Sequence, residues 1–81
     1  MDKNIGKITH YYDKIGVSVV ELSDDLAVGD TIKVSGHGRE FTQEVDSMQI
    51  EHEDVKSAKK GDSVGMKVDQ KVHEGYKVYK I

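Results

Sequence analysis

A turn-then-strand phrase occurs twice in this chain and limits what the chain can fold into. In Val28-Gly-Asp-Thr-Ile-Lys-Val34, a Gly-Asp pair precedes the alternating apolar positions Ile32 and Val34. In Ala58-Lys-Lys-Gly-Asp-Ser-Val-Gly-Met-Lys-Val68, a second Gly-Asp pair precedes Val64, Met66 and Val68. Period-two alternation after a glycine turn marks a half-buried strand. Gly29 and Gly61 permit the turn backbone, and Asp30 and Asp62 offer carboxylates to local N–H groups. Gly65 lets a neighbouring strand approach inside a narrow barrel. All five read as fold-making residues, and two related units suggest a small antiparallel barrel.

The rest of the chain supplies further strands. Ile5 to Tyr12 reads as the first, with Gly6 placed where backbones approach or bend. Asp13-Lys14-Ile15-Gly16 is a short connection to a second strand, Gly16 to Leu22. There the apolar parity switches between Val19 and Val20, which predicts a bulge or sharp bend. Ser23-Asp24-Asp25 is a polar turn with room for a single helical turn, and Leu26 and Val28 are placed over one end of the core. Strand three is Thr31 to Ser35, followed by a tight reversal at Gly36-His37-Gly38-Arg39. Strand four runs from Glu40 through Val45, with an extension toward Ile50 after a kink, and Phe41 is a core anchor. Glu51 to Lys56 is an acidic crossover. Ser63 to Asp69 and Val72 to Ile81 close the set, the last bending at Gly75. The apolar face is predicted from Ile8, Val17, Val19, Ile32, Val34, Val45, Ile50, Val64, Met66 and Val68. No long segment carries an apolar stripe at helical spacing. The expected fold is therefore all-β: a small, closed, six-stranded, mostly antiparallel barrel of Greek-key type, one domain over residues 1–81.

At 81 residues the chain has room for one core. It has no Cys to staple that core, so a sheet without open edges suits a modest apolar content. The longest apolar run, Val17 to Leu22, is too short to span a membrane, and no apolar signal segment follows Met1. A cytoplasmic, free-standing monomer is the expectation, with no membrane association. The net charge of −3 argues against a dedicated duplex-binding protein while allowing a local basic face.

No constellation points to catalysis or to a cofactor. His10, His37, His52 and His73 show no metal-ligand spacing and read as solvated or packing residues. Glu51 and Glu53 flank His52, an arrangement that favours its charged form where they lie near. Glu51, Glu53 and Asp54 resemble a carboxylate cluster, but a barrel of this size is filled by side chains and leaves no cleft, so a solvated crossover is the better reading. No nucleophile elbow and no phosphate-cradling G-x-x-x-x-G-K-[ST] loop is present, so nucleotide binding is not expected. The candidate partner surface is basic and aromatic: Lys56, Lys59, Lys60, Lys67, Lys71, Tyr76 and Tyr79. Such a face can meet RNA phosphates and stack bases, while the plainer reading is that these lysines solvate a small β protein and guard its edges.

The words Ile5-Gly-Lys-Ile8, Gly16-Val-Ser-Val19, Leu26-Ala-Val-Gly-Asp-Thr-Ile-Lys-Val34, Val45-Asp-Ser-Met-Gln-Ile50 and Ala58-Lys-Lys-Gly-Asp-Ser-Val-Gly-Met66, taken in this order, resemble domain 2 of the translational GTPases, the β-barrel of elongation factor Tu and its relatives. The family's compact turn after the second strand is replaced here by the longer, acidic Glu21-Leu-Ser-Asp-Asp25. The resemblance implies a non-catalytic module that contacts RNA, the ribosome or a translation-related protein. A similar barrel is appended to collagenase-like peptidases, and that likeness implies instead a protein-docking or accessory module.

Overall fold

The computed structural model describes residues 3–81 as an all-β protein with ten strands. They are β1 (Lys3–Tyr12), β2 (Val17–Leu22), β3 (Leu26–Ala27), β4 (Thr31–Gly36), β5 (Arg39–Glu44), β6 (Met48–Ile50), β7 (Glu53–Val55), β8 (Ser57–Ala58), β9 (Ser63–Lys67) and β10 (Lys77–Lys80). Eight form one sheet in the order β5-β4-β10-β1-β2-β9-β6-β7, and β3 pairs with β8 in a separate two-stranded sheet. Every described pairing is antiparallel.

This corrects the expected closed six-stranded barrel in two ways. The acidic crossover is a hairpin: β6 and β7 pair from Met48↔Val55 to Ile50↔Glu53. Its turn residues Glu51 and His52 take φ of 51° and 67°, the conformation whose twist matches two flanking strands. Nor does a ladder close the sheet among the described residues, where β5 and β7 remain edges. The end of β5 is tied to the end of β9 by one side chain, since Gln43 Nε2 donates to Lys67 O at 2.9 Å and Asp69 N donates to Gln43 Oε1 at 2.8 Å. The described residues include no helix long and apolar enough to cross a membrane.

The two Gly-Asp turns are built alike. Gly29 and Gly61 have φ of 96° and 92°. Asp30 Oδ2 accepts from Ala27 N at 2.9 Å, and Asp62 Oδ2 accepts from Lys59 N at the same distance. Each carboxylate thus satisfies a backbone donor three residues earlier, and the chain leaves each turn directly into β4 or β9. Asp30 Oδ2 also meets Lys80 Nζ at 3.3 Å, which joins the first turn to β10.

The core contains Ile8, Ile32, Val34, Val45, Val64, Met66 and Val68 as expected, and also Ile5, Val20, Leu22, Leu26, Met48, Ala58, Val72, Tyr76 and Val78. Val17, Val19, Ile50 and Phe41 are only half-buried, and Val28 is exposed. For β2 the expected register is inverted. Its inward residues are Ser18, Val20 and Leu22, in unbroken alternation. Ser18 is fully buried and donates its hydroxyl to Met66 O at 3.2 Å, so a polar residue occupies a core position without an unmet hydrogen bond. The bulge lies on the partner strand. Ile8 faces Val20 and His10 faces Val19, which leaves Thr9 as the extra residue of β1. A second register shift in β1, between Asn4 and Gly6, lets Ile5 and Ile8 point inward despite their opposite parity. Gly6 is confined there, because a Cβ on it would stand 2.7 Å from Glu21 O.

Candidate functional site

The basic surface expected from sequence does not assemble into one face. Lys56, Lys59, Lys60, Lys67 and Lys71 are all exposed. Lys59 and Lys60 precede the N-terminal end of β9, whereas Lys67 sits at its C-terminal end, a separation of roughly 13 Å at the usual strand rise. Lys71 lies in the loop beyond. Tyr76 is not a stacking platform, because it is a core residue only 3% exposed. Gly36 makes room for its ring, since a Cβ there would stand 2.3 Å from Tyr76 Cδ1. Tyr79 is half-buried and has Lys33 Nζ 5.4 Å from its ring centre, within cation–π range.

Two other places draw chemistry together. The first follows from the inverted register of β2. With Ser18, Val20 and Leu22 inward, Val17 and Val19 face out. Beside them Tyr12, at the end of β1, and Ile15, in the β1–β2 connection, are 50% and 65% exposed. Across the sheet, Val19 is paired with Gly65 of β9, and Gly65 with Gln49 of β6. Because Gly65 has no side chain, a trough runs along this row, with Val17 Cγ1 only 3.5 Å from where a Cβ would lie. The trough has a volume of about 460 Å³, and its polar margin is formed by Gln49, Glu51, His52 and Ser63. Gly65 thus shapes an outer apolar surface, a role beyond close strand approach.

The second place is a crevice beside the β4–β5 turn, lined by Tyr11, Asp13, His37, Lys71, Val72, His73 and Glu74. His37 and His73 are far apart in sequence, yet their ring centres lie 6.3 Å apart. Both rest against Tyr76, at 5.3 Å and 5.9 Å. Sequence spacing gave no sign of this pair, because β4–β10 pairing brings the two turns together. Nearby, Glu74 Oε1 is 3.6 Å from His10 Nδ1, whose ring meets Tyr12 edge-on. Among the described residues, no three acidic or imidazole side chains converge on one point.

No family model matches the chain. The chain is 46% identical over 76 residues to an uncharacterized protease of Methanocaldococcus jannaschii, covering 93% of this chain and 19% of the relative. It is 31% identical over 78 residues to a collagenase of Porphyromonas gingivalis, covering 94% of this chain and 22% of that protein. It therefore spans about a fifth of the length of these curated relatives. Its fold is that of the C-terminal domain of a putative U32 peptidase from Geobacillus thermoleovorans, with a TM-score of 0.91 and 20% identity over 98% of this chain and 92% of that domain. The selenomethionine form of the same domain superposes with a TM-score of 0.89 and 19% identity over 94% of this chain and 96% of that domain. These findings overturn the resemblance to domain 2 of the translational GTPases, and with it the RNA-binding expectation. The relatives and the solved structures point instead to the C-terminal domain of U32 peptidase and collagenase-like proteins.

Proposed function

We propose that the chain is a non-catalytic accessory module that docks onto protein, its partner being the main body of a peptidase of the U32 and collagenase-like kind. The observation that carries this reading is the second apolar face of the sheet. Val17, Val19, Ile15 and Tyr12 stand outside the core, on the side of β2 opposite Val20 and Leu22. A contiguous apolar surface with a polar rim is the usual form of a protein contact. Fully burying one large apolar side chain contributes about 1.5–3 kcal/mol, so a few such residues can anchor a contact. The trough above Gly65 accepts a projecting apolar side chain. The acidic β6–β7 hairpin at its edge, with Glu51, Glu53 and Asp54 exposed, favours a partner with basic residues around that projection. The likeness to a domain carried by peptidases, and to segments of longer proteins named as proteases, supports the choice of partner.

The test is binding of the purified chain to a U32 peptidase prepared without its own C-terminal domain, followed by calorimetry and co-elution. We expect a complex with a negative heat-capacity change, the mark of apolar burial. Ile15→Asp and Val19→Glu should each abolish it while leaving the fold intact. Lys59→Glu/Lys60→Glu should leave it unchanged. Absence of a complex, or a complex indifferent to Ile15→Asp and Val19→Glu, rejects this docking face.

A further inference from the structure

We infer that the docking face takes one extended polypeptide segment, held by an aliphatic side chain in the Gly65 trough and an aromatic one in the His37–His73 crevice. The inference rests on the docking reading of the trough and names the form of partner that reaches it.

The two hollows are the ends of one strip. Between them lies a third, of about 310 Å³, which shares Tyr12 and Ile15 with the trough and Tyr11 and Asp13 with the crevice. The β1–β2 ladder explains the continuity. His10 is paired with Val19 and Tyr12 with Val17, so the outward row of β2 continues onto β1. There the rings of His10 and Tyr12 meet edge-on at 4.4 Å. His10 Nδ1 lies 3.6 Å from Glu74 Oε1, and the residue before Glu74 is His73 of the crevice wall. The strip thus runs from Val19 through His10 and Tyr12 to His73 and His37.

Its dimensions suit a single length of chain. Gly65, Val19 and His10 lie on three neighbouring strands. The turn that carries His73 borders β1 on its other side, because Gly75 N donates to Ile8 O at 2.8 Å. Three strand spacings of about 4.8 Å put the hollows roughly 14 Å apart. An extended chain covers that distance in about four residues. Side chains four apart in an extended chain also point the same way, so both can enter the strip together.

The two ends differ in chemistry. Val17, Val19 and Gly65 give the trough an aliphatic floor. The crevice offers Tyr11 and two imidazoles around the buried Tyr76 ring, surfaces on which a planar ring packs. His37 and Gly38, with φ of 51° and 76°, form a tight turn, and the carbonyl of His73 accepts from Tyr76 N at 3.3 Å, so this wall is set before binding. Carboxylates stand at both ends: Glu51 at the trough, and Asp13 and Glu74 at the crevice, against Lys14 and Lys71. Asp54, which accepts from Gln49 Nε2 at 3.0 Å, adds to the trough end. That balance favours basic residues outside the two anchors. Reading an extended peptide through pockets for alternate side chains is a common mode of recognition.

The test titrates the whole chain with capped synthetic peptides, followed by its amide and imidazole resonances. The probe is Lys-Leu-Ser-Ser-Ser-Tyr-Lys. Three controls replace its Tyr by Ser, replace its Leu by Ser, or delete one Ser between the anchors. The probe should move the resonances of Val19, Gly65, His37 and His73 together. It should bind roughly tenfold more tightly than each control, since each control loses the burial of one large side chain. His37→Asn keeps a residue that tolerates positive φ, and His73→Gln keeps a polar side chain of similar reach. Each should weaken the probe severalfold, leave the control without Tyr unaffected, and leave the amide spectrum of the fold in place. Shifts confined to the trough, or equal affinity for the probe and the shortened peptide, overturn the inference and leave docking of a folded peptidase body at the trough standing. Absence of any shift overturns it as well, and the docking reading is then judged by the complex with the peptidase body alone.

Discussion

Gln43 and Lys67 are joined across the gap between β5 and β9 by a 2.9 Å hydrogen bond from the carboxamide nitrogen to the main-chain carbonyl. The same carboxamide accepts from Asp69 N. Gln43 is 7% exposed, so one side chain spans a place where a closed barrel would have a ladder of backbone bonds. Its replacement leaves two main-chain groups to find new partners.

Gln43→Ala should therefore cost about 2 kcal/mol, the scale expected when two part-buried hydrogen bonds are lost. Gln43→Glu keeps the acceptor for Asp69 N and loses the donor to Lys67 O, so it should cost about as much or more at neutral pH and recover on acidification. Urea unfolding of the variants measures both effects. A change below half of the predicted cost in Gln43→Ala would show that the two edges are held by other contacts.

The register of β2 is open to a direct comparison. Val20 is fully buried and Val17 and Val19 are not. Truncating Val20 to Ala should destabilise by about 2 kcal/mol, because a cavity is left in the core. Val17→Ala and Val19→Ala should each cost under about 1 kcal/mol, the lower range for partly exposed sites. Equal losses at Val19 and Val20 would contradict the observed face.

Glycines divide into two mechanisms with different signatures. At Gly36 the obstacle is steric, so Gly36→Ala should displace the Tyr76 ring and cost about 2–3 kcal/mol, as overpacking does. At Gly61 and Gly29 a Cβ would meet nothing within 4 Å, and the obstacle is φ alone. Gly61→Val and Gly29→Val should lose about 1–2 kcal/mol through the left-handed backbone. Gly61→Asn should lose less, and Ser57→Val, at the exposed position of β8, should change little. Thermal melting of the set distinguishes them. Tyr76 fluorescence should report the change at Gly36 and not at Gly61.

Acid should remove one contribution that neutral pH provides. Lys3 Nζ pairs with Asp24 Oδ2. The hydrogen bond from Lys3, with a second from Asp25 N, lowers the Asp24 carboxyl pKa below its ordinary 3.8. A depressed folded pKa adds stability above the unfolded value, and that stability is lost as pH falls through the folded value. The same pair raises Lys3 above 10.5, so its share is present below that pH and fades as pH climbs through the higher folded value. Both groups are solvent-exposed, so the effect is small and screened by salt. Lys3→Ala should destabilise slightly at neutral pH in low salt. The difference should vanish in molar salt, or once Asp24 is protonated. Chemical denaturation across pH measures it.

Local chemistry determined the all-β character, the strand starts after Gly29-Asp30 and Gly61-Asp62, the His37-Gly38 reversal and most of the core on β4 and β9. Each follows from a glycine that tolerates positive φ, or from period-two alternation, and neither needs knowledge of distant residues. The side of β2 that faces inward depended on tertiary structure. Val17, Val19, Val20 and Leu22 offer apolar side chains at both parities, and the choice fell to Ser18 finding an acceptor on Met66 and to the extra residue in β1. The β6–β7 hairpin, Met48 to Val55, was hidden because its turn uses Glu51 and His52 at positive φ in place of glycine. Both candidate sites arise from the same kind of long-range decision. The apolar trough exists because β9 and β6 place Gly65 and Gln49 beside Val19. His37 and His73 meet only because β10 pairs with β4, so their proximity is a property of sheet order that no spacing along the chain encodes.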